Sequence, residues 1–493
     1  MGLTVGTVLE CAADAAPSRT AVTLGDVSRT FAELRGHANA LANALHGWGL
    51  RRGDRVAYWA STNLDAPPFQ FALGRLGAAF APLNHAYEDD EARAALEYLV
   101  PRLLVADPDH AARAEALACD LDIPVATLGG RGPGASLDDL ADAAATDSVS
   151  APLPHEDDTF TIFLTSGSTG RPKGVMVSQR ATWLRTYAGA TTTVTTGGRG
   201  ELLMFPFFHM AGWTFAYYAW SAHRTAHLVT RADADELLAA VERYRPASLY
   251  CIPAVWERLL AETTTVDASS LEWALIGTSR VEPELLSAIK DRFPGVRMTV
   301  SYGSTEMGRA ISLGDDDLFR KPCAVGLPIP GVRAEVADDG ELLLTGETMT
   351  SGYFQLPEET SAAIVDGWYR TGDRAEQDEE GYFSIVGRVQ EIIRSGGEWV
   401  APVEVEAALA DLPNLVAVAV VGLPDTSWGE VVCAAVVVAP GAPPPTVDDV
   451  RAHLAGRLAP YKHPRRVIVV DEIPRTAATG QVRRTLLARE ARP

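Results

Sequence analysis

The chain has 493 residues, of which 47% are apolar and 22% are charged, and its formal net charge is −21. A single hydrophobic core stops growing near about 250–300 residues, so we expect a globular protein with two or more domains. The acidic balance argues against nucleic acid as a main partner, because phosphate binding needs a basic surface.

The five cysteines have no metal-like spacing and are typical of free thiols in a reducing compartment. No apolar run approaches the roughly 18–20 residues that a membrane span requires, and the first residues lack the basic start of a targeting signal. We therefore expect a cytoplasmic protein with no membrane partner. Whether it is a monomer or a homodimer is left open.

Short apolar segments alternate with stretches of helical periodicity through the first three hundred residues. They are RVAYWA (55–60), AAFAPLN (78–84), LLVAD (103–107), SLYCIP (248–253), WALIGT (273–278) and RMTVSYG (297–303). The alternation indicates βαβ units and therefore an α/β fold with large doubly wound sheets.

From about residue 326 the pattern changes to short strands separated by turns, which predicts a small β-rich subdomain over about 326–387. Helical periodicity returns after residue 387 and predicts a compact α+β domain. We expect an N-terminal domain over 1–387, a short connection at 388–391 and a C-terminal domain over 392–493.

The segment TIFLTSGSTGRPKGV (161–175) consists of an apolar strand followed by a Thr-, Ser- and Gly-rich loop that ends at Lys173. Glycines allow close backbone approach, hydroxyl and N–H groups can surround an anion, and the lysine adds charge. The spacing differs from the P-loop motif G-x-x-x-x-G-K-[ST]. The segment predicts a phosphate-binding loop, with a generic Gly/Ser turn as the alternative.

The string TSGSTGRPKG resembles the phosphate-binding signature of the AMP-forming adenylating superfamily, which includes acyl- and aryl-CoA synthetases, peptide-synthetase adenylation domains and luciferases. Further motifs similar to that family follow in its order: PFFHMAG (206–212), YGSTE (302–306), GELLLTGETMTSGYF (340–354), WYRTGD (368–373) and GRVQEIIRSGGEWVAPVEVE (387–406). Within that family, the motifs most resemble those of bacterial acyl- and aryl-CoA ligases.

This resemblance implies two reaction steps that use ATP, Mg²⁺ and CoA. A carboxylate first attacks the α-phosphate of ATP to give acyl-AMP and pyrophosphate, and a thiol then displaces AMP. Between the steps the small C-terminal domain of similar enzymes rotates about a hinge, which corresponds here to Gln390.

The resemblance also assigns the ATP-binding residues. They are Thr165, Ser166, Gly167, Ser168, Thr169, Gly170 and Lys173 at the phosphates, Gly277, Thr278, Ser279, Tyr302 and Gly303 at the adenine, Thr305 and Glu306 near the α-phosphate, and Asp373 and Arg388 at the ribose. The residue types fit these roles. The ring of Tyr302 can stack on adenine, the carboxylate of Glu306 suits Mg²⁺, and Asp373 offers two acceptors to the ribose hydroxyls.

In similar enzymes the position of His209 lines the acyl pocket, so we expect it beside the substrate carboxylate; a core histidine is the alternative. The same comparison assigns Phe208, Arg280, Met307 and Arg309 to the pocket. Two arginines near a small aromatic site suggest a second polar or anionic group on the substrate, because guanidinium pairs well with carboxylates. Alternatively, both arginines face solvent or structural acids.

The segment PRTAATGQVRR (474–484) resembles the mobile catalytic loop whose lysine enters the adenylation site, but Gln481 stands in place of that lysine and the loop is one residue longer. One such donor is worth roughly 3–4 kcal/mol. Three explanations remain: a deliberate Lys→Gln change, natural divergence that passes the role to Arg483 or Arg484, or a reaction that needs the lysine less.

Trp428 in SWGEVV (427–432), with Tyr461 and Lys462 in APYKHPRRV (459–467), resembles the residues that hold CoA; a structural tryptophan is the alternative. We expect a ligase that activates a small aromatic acid for CoA, with a place in secondary metabolism. The rivals are an enzyme that passes its adenylate to a carrier protein or an amine, one that activates nitrite for N–N bond formation, and a nucleotide-binding pseudoenzyme.

Overall fold

The computed structural model describes residues 2–132, 134–166, 172–192, 199–389, 391–395, 398–425, 428–476 and 480–491. The chain forms two compact units. The first comprises Met1–Pro322, Gly326–Arg333 and Leu344–Tyr369, and the second comprises Cys323–Val325, Ala334–Leu343 and Arg370–Pro493. The predicted boundary at 387–388 stays a prediction, because packing units do not tell which part of the chain moves.

Fifteen α-helices lie within the described residues. They are α1 (Val5–Ala15), α2 (Phe31–Gly47), α3 (Ala66–Leu76), α4 (Asp89–Leu99), α5 (Pro108–Asp120), α6 (Leu137–Asp142), α7 (Gln179–Thr192), α8 (Met210–Ser221), α9 (Ala234–Tyr244), α10 (Pro253–Ala261), α11 (Pro283–Arg292), α12 (Pro357–Ala363), α13 (Pro402–Leu409), α14 (Val447–Leu454) and α15 (Arg484–Glu490). Two 3₁₀ turns lie at Asp315–Asp317 and Pro460–Lys462.

The strands of the first unit's two large sheets are β1 (Thr20–Leu24), β2 (Val27–Thr30), β3 (Arg55–Trp59), β4 (Ala79–Leu83), β5 (Leu103–Ala106), β6 (Val125–Thr127), β7 (Ala135–Ser136), β8 (Thr159–Ser166), β9 (Pro172–Ser178), β10 (Glu201–Leu203), β11 (Ala226–Leu228), β12 (Ser248–Cys251), β13 (Trp273–Gly277), β14 (Arg297–Ser304), β15 (Gly308–Leu313) and β16 (Leu327–Pro328). The later strands are β17 (Val332–Val336), β18 (Glu341–Gly346), β19 (Gly352–Tyr353), β20 (Ile364–Val365), β21 (Trp368–Gln377), β22 (Phe383–Arg388), β23 (Ile393–Ser395), β24 (Glu398–Val400), β25 (Leu415–Asp425), β26 (Gly429–Val438) and β27 (Arg466–Val469).

The predicted α/β class is confirmed, and the first unit contains two mixed sheets. One has the strand order β19-β9-β8-β4-β3-β5-β6-β7, and the other has the order β16-β15-β14-β13-β12-β10-β11-β1-β2. All six strands predicted from short apolar segments are present, as β3, β4, β5, β12, β13 and β14. The sequence pattern did not separate the two sheets, because β1 pairs with β11, some two hundred residues further along the chain.

Helix α8 lies between these two sheets. All its residues from Ala211 to Trp220 are buried. Trp220 Nε1 donates to the carbonyl of Ala21 on β1 at 2.9 Å, and the Trp213 ring meets Phe80 of β4 edge-on at 5.4 Å. A helix that is apolar on every side is stable only inside a core. This burial fixes the position of the residue before the helix, His209.

The later sheets are smaller. Strands β17, β18, β20, β21 and β22 form a five-stranded sheet, and β23 to β27 form another in which β27 runs parallel to β26. In the second unit, α13 and α14 bury apolar side chains such as Val405 and Val450 against Val420 of β25. Within the described ranges, no helix is both long and apolar enough to cross a lipid bilayer.

Candidate active site

Lys173 projects from the end of a β-hairpin. Strands β8 and β9 are antiparallel with Thr165 opposite Lys173, and the Thr165 hydroxyl lies 3.3 Å from the Lys173 carbonyl, to which it donates. The Lys173 ammonium lies 5.1 Å from the centre of the Tyr353 ring. Gly167, Ser168, Thr169 and Gly170, with the side chain of Ser166, lie outside the described residues, and their phosphate-binding role stays a prediction.

Glu306 lies in the turn between β14 and β15, where buried tyrosines surround it. The Tyr353 hydroxyl donates to Glu306 Oε1 at 2.9 Å, and the backbone N–H of Thr350 donates to the Glu306 carbonyl at 2.6 Å. Burial, reinforced by the nearby Glu306 carboxylate, raises the pKa of Tyr353 and of Tyr369. Both hydroxyls therefore stay protonated at neutral pH, and Tyr353 remains a donor to the carboxylate.

Tyr353 also connects Glu306 to Lys173, since its ring lies beneath the ammonium while its hydroxyl meets the carboxylate. The connection depends on long-range pairing: Tyr353 is opposite Val175 in the β19–β9 ladder. Sequence reasoning quoted Tyr353 within the motif ending GYF but gave it no role. An aromatic residue at the end of a glycine-rich motif is the signal that pointed to it.

Arg185 of α7 positions the same turn. Its guanidinium donates to the carbonyls of Glu306 at 2.9 Å and Thr348 at 3.0 Å. Burial lowers the pKa of Arg185 to about 10, with the Glu306 charge acting in the opposite direction, so the side chain remains a cation at neutral pH. This arginine was missed from sequence, because nothing in the helix α7 pattern marks it.

The predicted adenine wall lies at the carboxyl ends of β13 and β14, an edge where ligands bind in sheets of this type. A Cβ on Gly277 would lie 2.3 Å from the Ser301 carbonyl oxygen and 2.7 Å from the Tyr250 hydroxyl, so only glycine fits. Thr278 has a φ of +74°, which is rare for a β-branched residue and is typical of strained functional positions. Ser279 is exposed and Tyr302 is half-buried.

Gly303 closes the turn that carries Thr305 and Glu306. A Cβ there would lie 2.2 Å from the Gly308 carbonyl oxygen across the β14–β15 hairpin. Thr305 is half-buried, and Met307 is fully buried with its N–H donating to the Ser304 hydroxyl at 3.2 Å. The hairpin therefore holds all three predicted positions that follow Ser304 in a tight turn.

His209 caps helix α8. Its Nδ1 accepts a hydrogen bond from the Ala211 N–H at 3.1 Å, and its ring stacks on Phe205 at 5.4 Å. Burial lowers the pKa of His209 to about 4, so the ring is neutral at neutral pH. Because Nδ1 is the acceptor, the proton resides on Nε2, which is left as a donor. Phe208, next to it, is half-buried and meets His85 edge-on at 5.2 Å.

The two pocket arginines have different surroundings. Arg280 is exposed and forms an ion pair with Glu282 at 2.8 Å, which matches the alternative that it faces a structural acid. Arg309 is 9% exposed, and its Nη2 donates to the Ser312 hydroxyl at 3.0 Å. The assignment of both arginines to the pocket stays a prediction, and Arg309 is the buried one of the two.

In the second unit, Asp373 and Arg388 form a pair. They are opposite each other in the β21–β22 ladder, and Arg388 Nε lies 2.8 Å from Asp373 Oδ1. Asp373 is buried and follows Gly372, whose φ of +71° is a left-handed conformation that glycine adopts most readily. Sequence reasoning assigned both residues to the ribose without predicting that they bind each other.

Hydrogen bonds among neighbouring residues hold the loop around Gln481. The Thr476 N–H donates to the Gln481 carbonyl at 2.8 Å, and the Gly480 N–H donates to the Thr476 carbonyl at 2.9 Å. The Gln481 residue is exposed. Residues 477–479 lie outside the described part of the chain.

The two arginines proposed as substitutes for the lysine differ. Arg484 is mostly buried and contacts Glu391 at 2.9 Å and Glu406 at 2.6 Å. Two carboxylates therefore engage its charge. Arg483 is exposed at the start of α15 and is the better candidate of the two.

The predicted CoA residues lie in the second unit. The Arg465 guanidinium lies 3.6 Å from the centre of the Trp428 ring, which is 37% exposed. Lys462 pairs with Glu404 at 2.5 Å and lies 5.8 Å from the Tyr461 ring centre. Arg465 was missed from sequence. Gln390 is outside the described residues, so the hinge stays a prediction.

Two family models match the chain. Residues 9–354 match the AMP-binding enzyme family, and residues 404–479 match the AMP-binding enzyme C-terminal domain. The chain belongs to the AMP-binding enzyme family. This confirms the resemblance that the motifs indicated, and with it the AMP-forming ligase class.

Three individual proteins are similar to this AMP-binding enzyme. Feruloyl-CoA synthase of Amycolatopsis sp. is 34% identical over 95% of this chain and 96% of its own length. The anthranilate CoA ligase AuaEII in complex with anthranoyl-AMP is 25% identical, with a TM-score of 0.89 over 99% of this chain and 97% of that one. The amide bond synthetase McbA from Marinactinospora thermotolerans is 28% identical, with a TM-score of 0.88 over 99% of this chain and 100% of that one.

The donor set of this AMP-binding enzyme fits a magnesium ion. Among the described residues, no group of three or more His, Cys, Asp or Glu side chains is placed to hold a metal. Mg²⁺ ordinarily takes one or two protein carboxylates and completes its shell with substrate phosphates and water. Glu306, held in place by Tyr353, meets that requirement without further protein ligands.

Proposed function

We propose that the protein uses ATP and Mg²⁺ to activate a small aromatic carboxylic acid as acyl-AMP and then transfers the acyl group to CoA in the cytoplasm. The observation that carries this proposal is the connected set of Lys173, Tyr353 and Glu306. The likeness to feruloyl-CoA synthase and to AuaEII with anthranoyl-AMP supports an aromatic acid and a CoA acceptor.

In the first step, one oxygen of the substrate carboxylate bonds to the α-phosphorus and the bond from that phosphorus to the pyrophosphate oxygen breaks. Lys173 binds phosphate oxygens by charge, and the Nε2–H group of His209 donates a hydrogen bond to the substrate carboxylate. The neutral ring suits a hydrogen-bond donor at that place, because a carboxylate nucleophile brings no proton to remove. Glu306 would hold Mg²⁺, which would supply positive charge for the leaving pyrophosphate.

In the second step, the CoA thiolate bonds to the acyl carbon and the bond from that carbon to the AMP oxygen breaks. Asp373 accepts hydrogen bonds from the ribose hydroxyls, and Arg388 orients that carboxylate at 2.8 Å. Arg465 and Trp428 together offer a flat cationic surface for the CoA nucleotide.

Gln481 contributes a neutral carboxamide where a lysine would contribute a full charge. A neutral donor stabilises developing negative charge less than an ammonium does. We therefore expect slow adenylation, unless the exposed cation of Arg483 takes the role.

A second candidate function is transfer of the adenylate to an amine. One observation favours it: the likeness to the amide bond synthetase McbA. In this case the first step is the same, and only the acceptor differs.

The test is exchange of labelled pyrophosphate into ATP across benzoic, hydroxy- and aminobenzoic, aliphatic and dicarboxylic acids and nitrite. Activated acids are then supplied with CoA, with a carrier protein or with a panel of amines. We expect exchange with an aromatic acid and an acyl-CoA product. An amide product without a thioester would show that the acceptor is an amine and not CoA. Exchange with nitrite alone would indicate N–N bond formation. No exchange despite ATP binding would indicate a pseudoenzyme.

A further inference from the structure

Arg309 is a buried charge that the described part of the protein leaves largely uncompensated. Its Nη2 donates to the neutral Ser312 hydroxyl, while Nε and Nη1 are buried without a hydrogen-bond partner of good geometry among the described residues. No carboxylate in those residues forms an ion pair with it. A buried charge of this kind is costly unless something pairs with it.

Arg185 shows what a structural arginine looks like in the same unit. It is equally buried, but its Nε and Nη2 donate to two backbone carbonyls that hold the Glu306 turn. Among the described residues, Arg309 donates to no backbone carbonyl in this way. Its side chain is therefore not explained by the needs of the fold.

The surroundings of Arg309 are aromatic hydroxyls. Tyr218 of α8 and Tyr250 of β12 both oppose the effect of burial, which lowers the pKa of the guanidinium. The Tyr250 ring lies 5.0 Å from that of Phe205, and Phe205 in turn stacks on His209. The rings of Tyr250 and Phe205 therefore form a continuous aromatic contact that leads from the neighbours of Arg309 to His209.

The backbone places Arg309 at the same edge of the sheet as the adenylation residues. It lies three residues after Glu306 and is opposite Gly303 in the β14–β15 ladder. The Tyr250 hydroxyl, whose electrostatic influence reaches Arg309, lies against Gly277 of the predicted adenine wall. The Arg309 guanidinium therefore belongs to the same hairpin edge as the residues assigned to adenylation.

We propose that Arg309 binds a second carboxylate on the substrate, so that the enzyme prefers an aromatic dicarboxylic acid to the corresponding monoacid. This inference rests on the proposed function, because it concerns the acid that the same site activates. The substrate supplies the missing anion, and Tyr218 and Tyr250 complete its hydrogen bonds. One carboxylate reacts with ATP, and the other stays paired and unreactive.

The experiment compares benzoate with benzene-1,2-, 1,3- and 1,4-dicarboxylate in pyrophosphate exchange, using the whole chain. For the wild type we expect at least one diacid to exceed benzoate in kcat/KM by about 10- to 100-fold, the range for a hydrogen-bonded charge. Arg309→Met should bring the diacid-to-benzoate ratio of kcat/KM close to one, chiefly by raising the KM of the diacid. Arg309→Lys should retain part of the preference.

Two controls separate substrate binding from folding. Arg297→Met changes an exposed arginine at the other end of β14 and should leave the preference unchanged. Thermal unfolding should show Arg309→Met at least as stable as the wild type, because a buried uncompensated charge is removed, whereas Arg185→Met should be less stable.

The outcomes are distinguishable. If the wild type activates benzoate at the same kcat/KM as every diacid, the role of Arg309 is overturned. The same holds if Arg309→Met lowers kcat/KM for both substrates in parallel and unfolds more easily. In both cases the adenylating function stands. Failure of every carboxylic acid in the exchange assay overturns the proposed function itself, and this inference with it.

Discussion

The surroundings of Glu306 and the loop around Gln481 are built in opposite ways, although both are assigned to the same reaction step. Glu306 is held by side chains, with a buried tyrosine on its carboxylate and a buried arginine on its carbonyl. The Gln481 loop is held by hydrogen bonds among its own neighbouring residues, including the Gln481 N–H to the Thr476 hydroxyl, and Gln481 is exposed. A substitution at Glu306 therefore also disturbs the packing around it, whereas a substitution at position 481 can change the reaction without changing the fold.

The largest effect is expected at the packed site. Glu306→Gln removes the charge that suits Mg²⁺, and we expect kcat for pyrophosphate exchange to fall by about 10²–10³-fold. The matched comparison is Tyr353→Phe, which keeps the ring but removes the hydroxyl that donates to the carboxylate, and it should cost about tenfold. A Glu306→Gln enzyme within threefold of the wild type would remove Glu306 from the reaction.

The exposed loop should respond in the opposite direction. Gln481→Lys introduces an ammonium group without disturbing packing, and we expect adenylation to rise by about 100-fold, which corresponds to roughly 3 kcal/mol. Single-turnover formation of acyl-AMP measures this step. A gain below threefold argues that the missing charge does not limit it, and loss of activity in Arg483→Gln would show that Arg483 supplies the charge instead.

A smaller effect is expected at the Asp373–Arg388 pair, which is packed on one side and exposed on the other. Asp373→Asn keeps the shape but weakens the bond to the ribose hydroxyls, so the KM for ATP should rise about tenfold with a smaller change in kcat. Asp339→Asn is the control, because Asp339 is an exposed acid that pairs with Arg370 at 2.8 Å. Equal effects of the two changes would mean that Asp373 acts only through the fold.

The smallest effect is expected at the exposed Trp428–Arg465 stack. Cation–π contacts at exposed sites are worth about 0.5–1 kcal/mol, so Arg465→Ala should raise the KM for CoA about threefold. The thioester-forming assay measures it, and Arg457→Ala, which removes another surface arginine of the second unit, should not change that KM. An unchanged KM for CoA in Arg465→Ala would favour an amine as the acceptor.

Much of the fold was predictable, because strand and helix periods are local properties of the sequence. The six apolar segments of the first three hundred residues became six strands for this reason. What could not be predicted is where side chains point, since a shift of one residue in a strand turns every side chain to the other face.

The arginines show this limit most clearly. Arg280 and Arg309 had the same predicted role, yet one pairs with a neighbour at the surface and the other is buried among tyrosines. The contact between Tyr353 and Glu306 joins positions 47 residues apart and depends on strand pairing that no motif encodes.

The anchoring of Arg484 has a practical consequence. Its two carboxylate partners fix the start of α15 to the rest of the second unit, three residues beyond Gln481. Position 481 is thus exposed and lies close to a segment that two ion pairs anchor. A single cysteine at position 481, labelled with a fluorophore or a spin probe, would report whether ATP binding changes the surroundings of this loop.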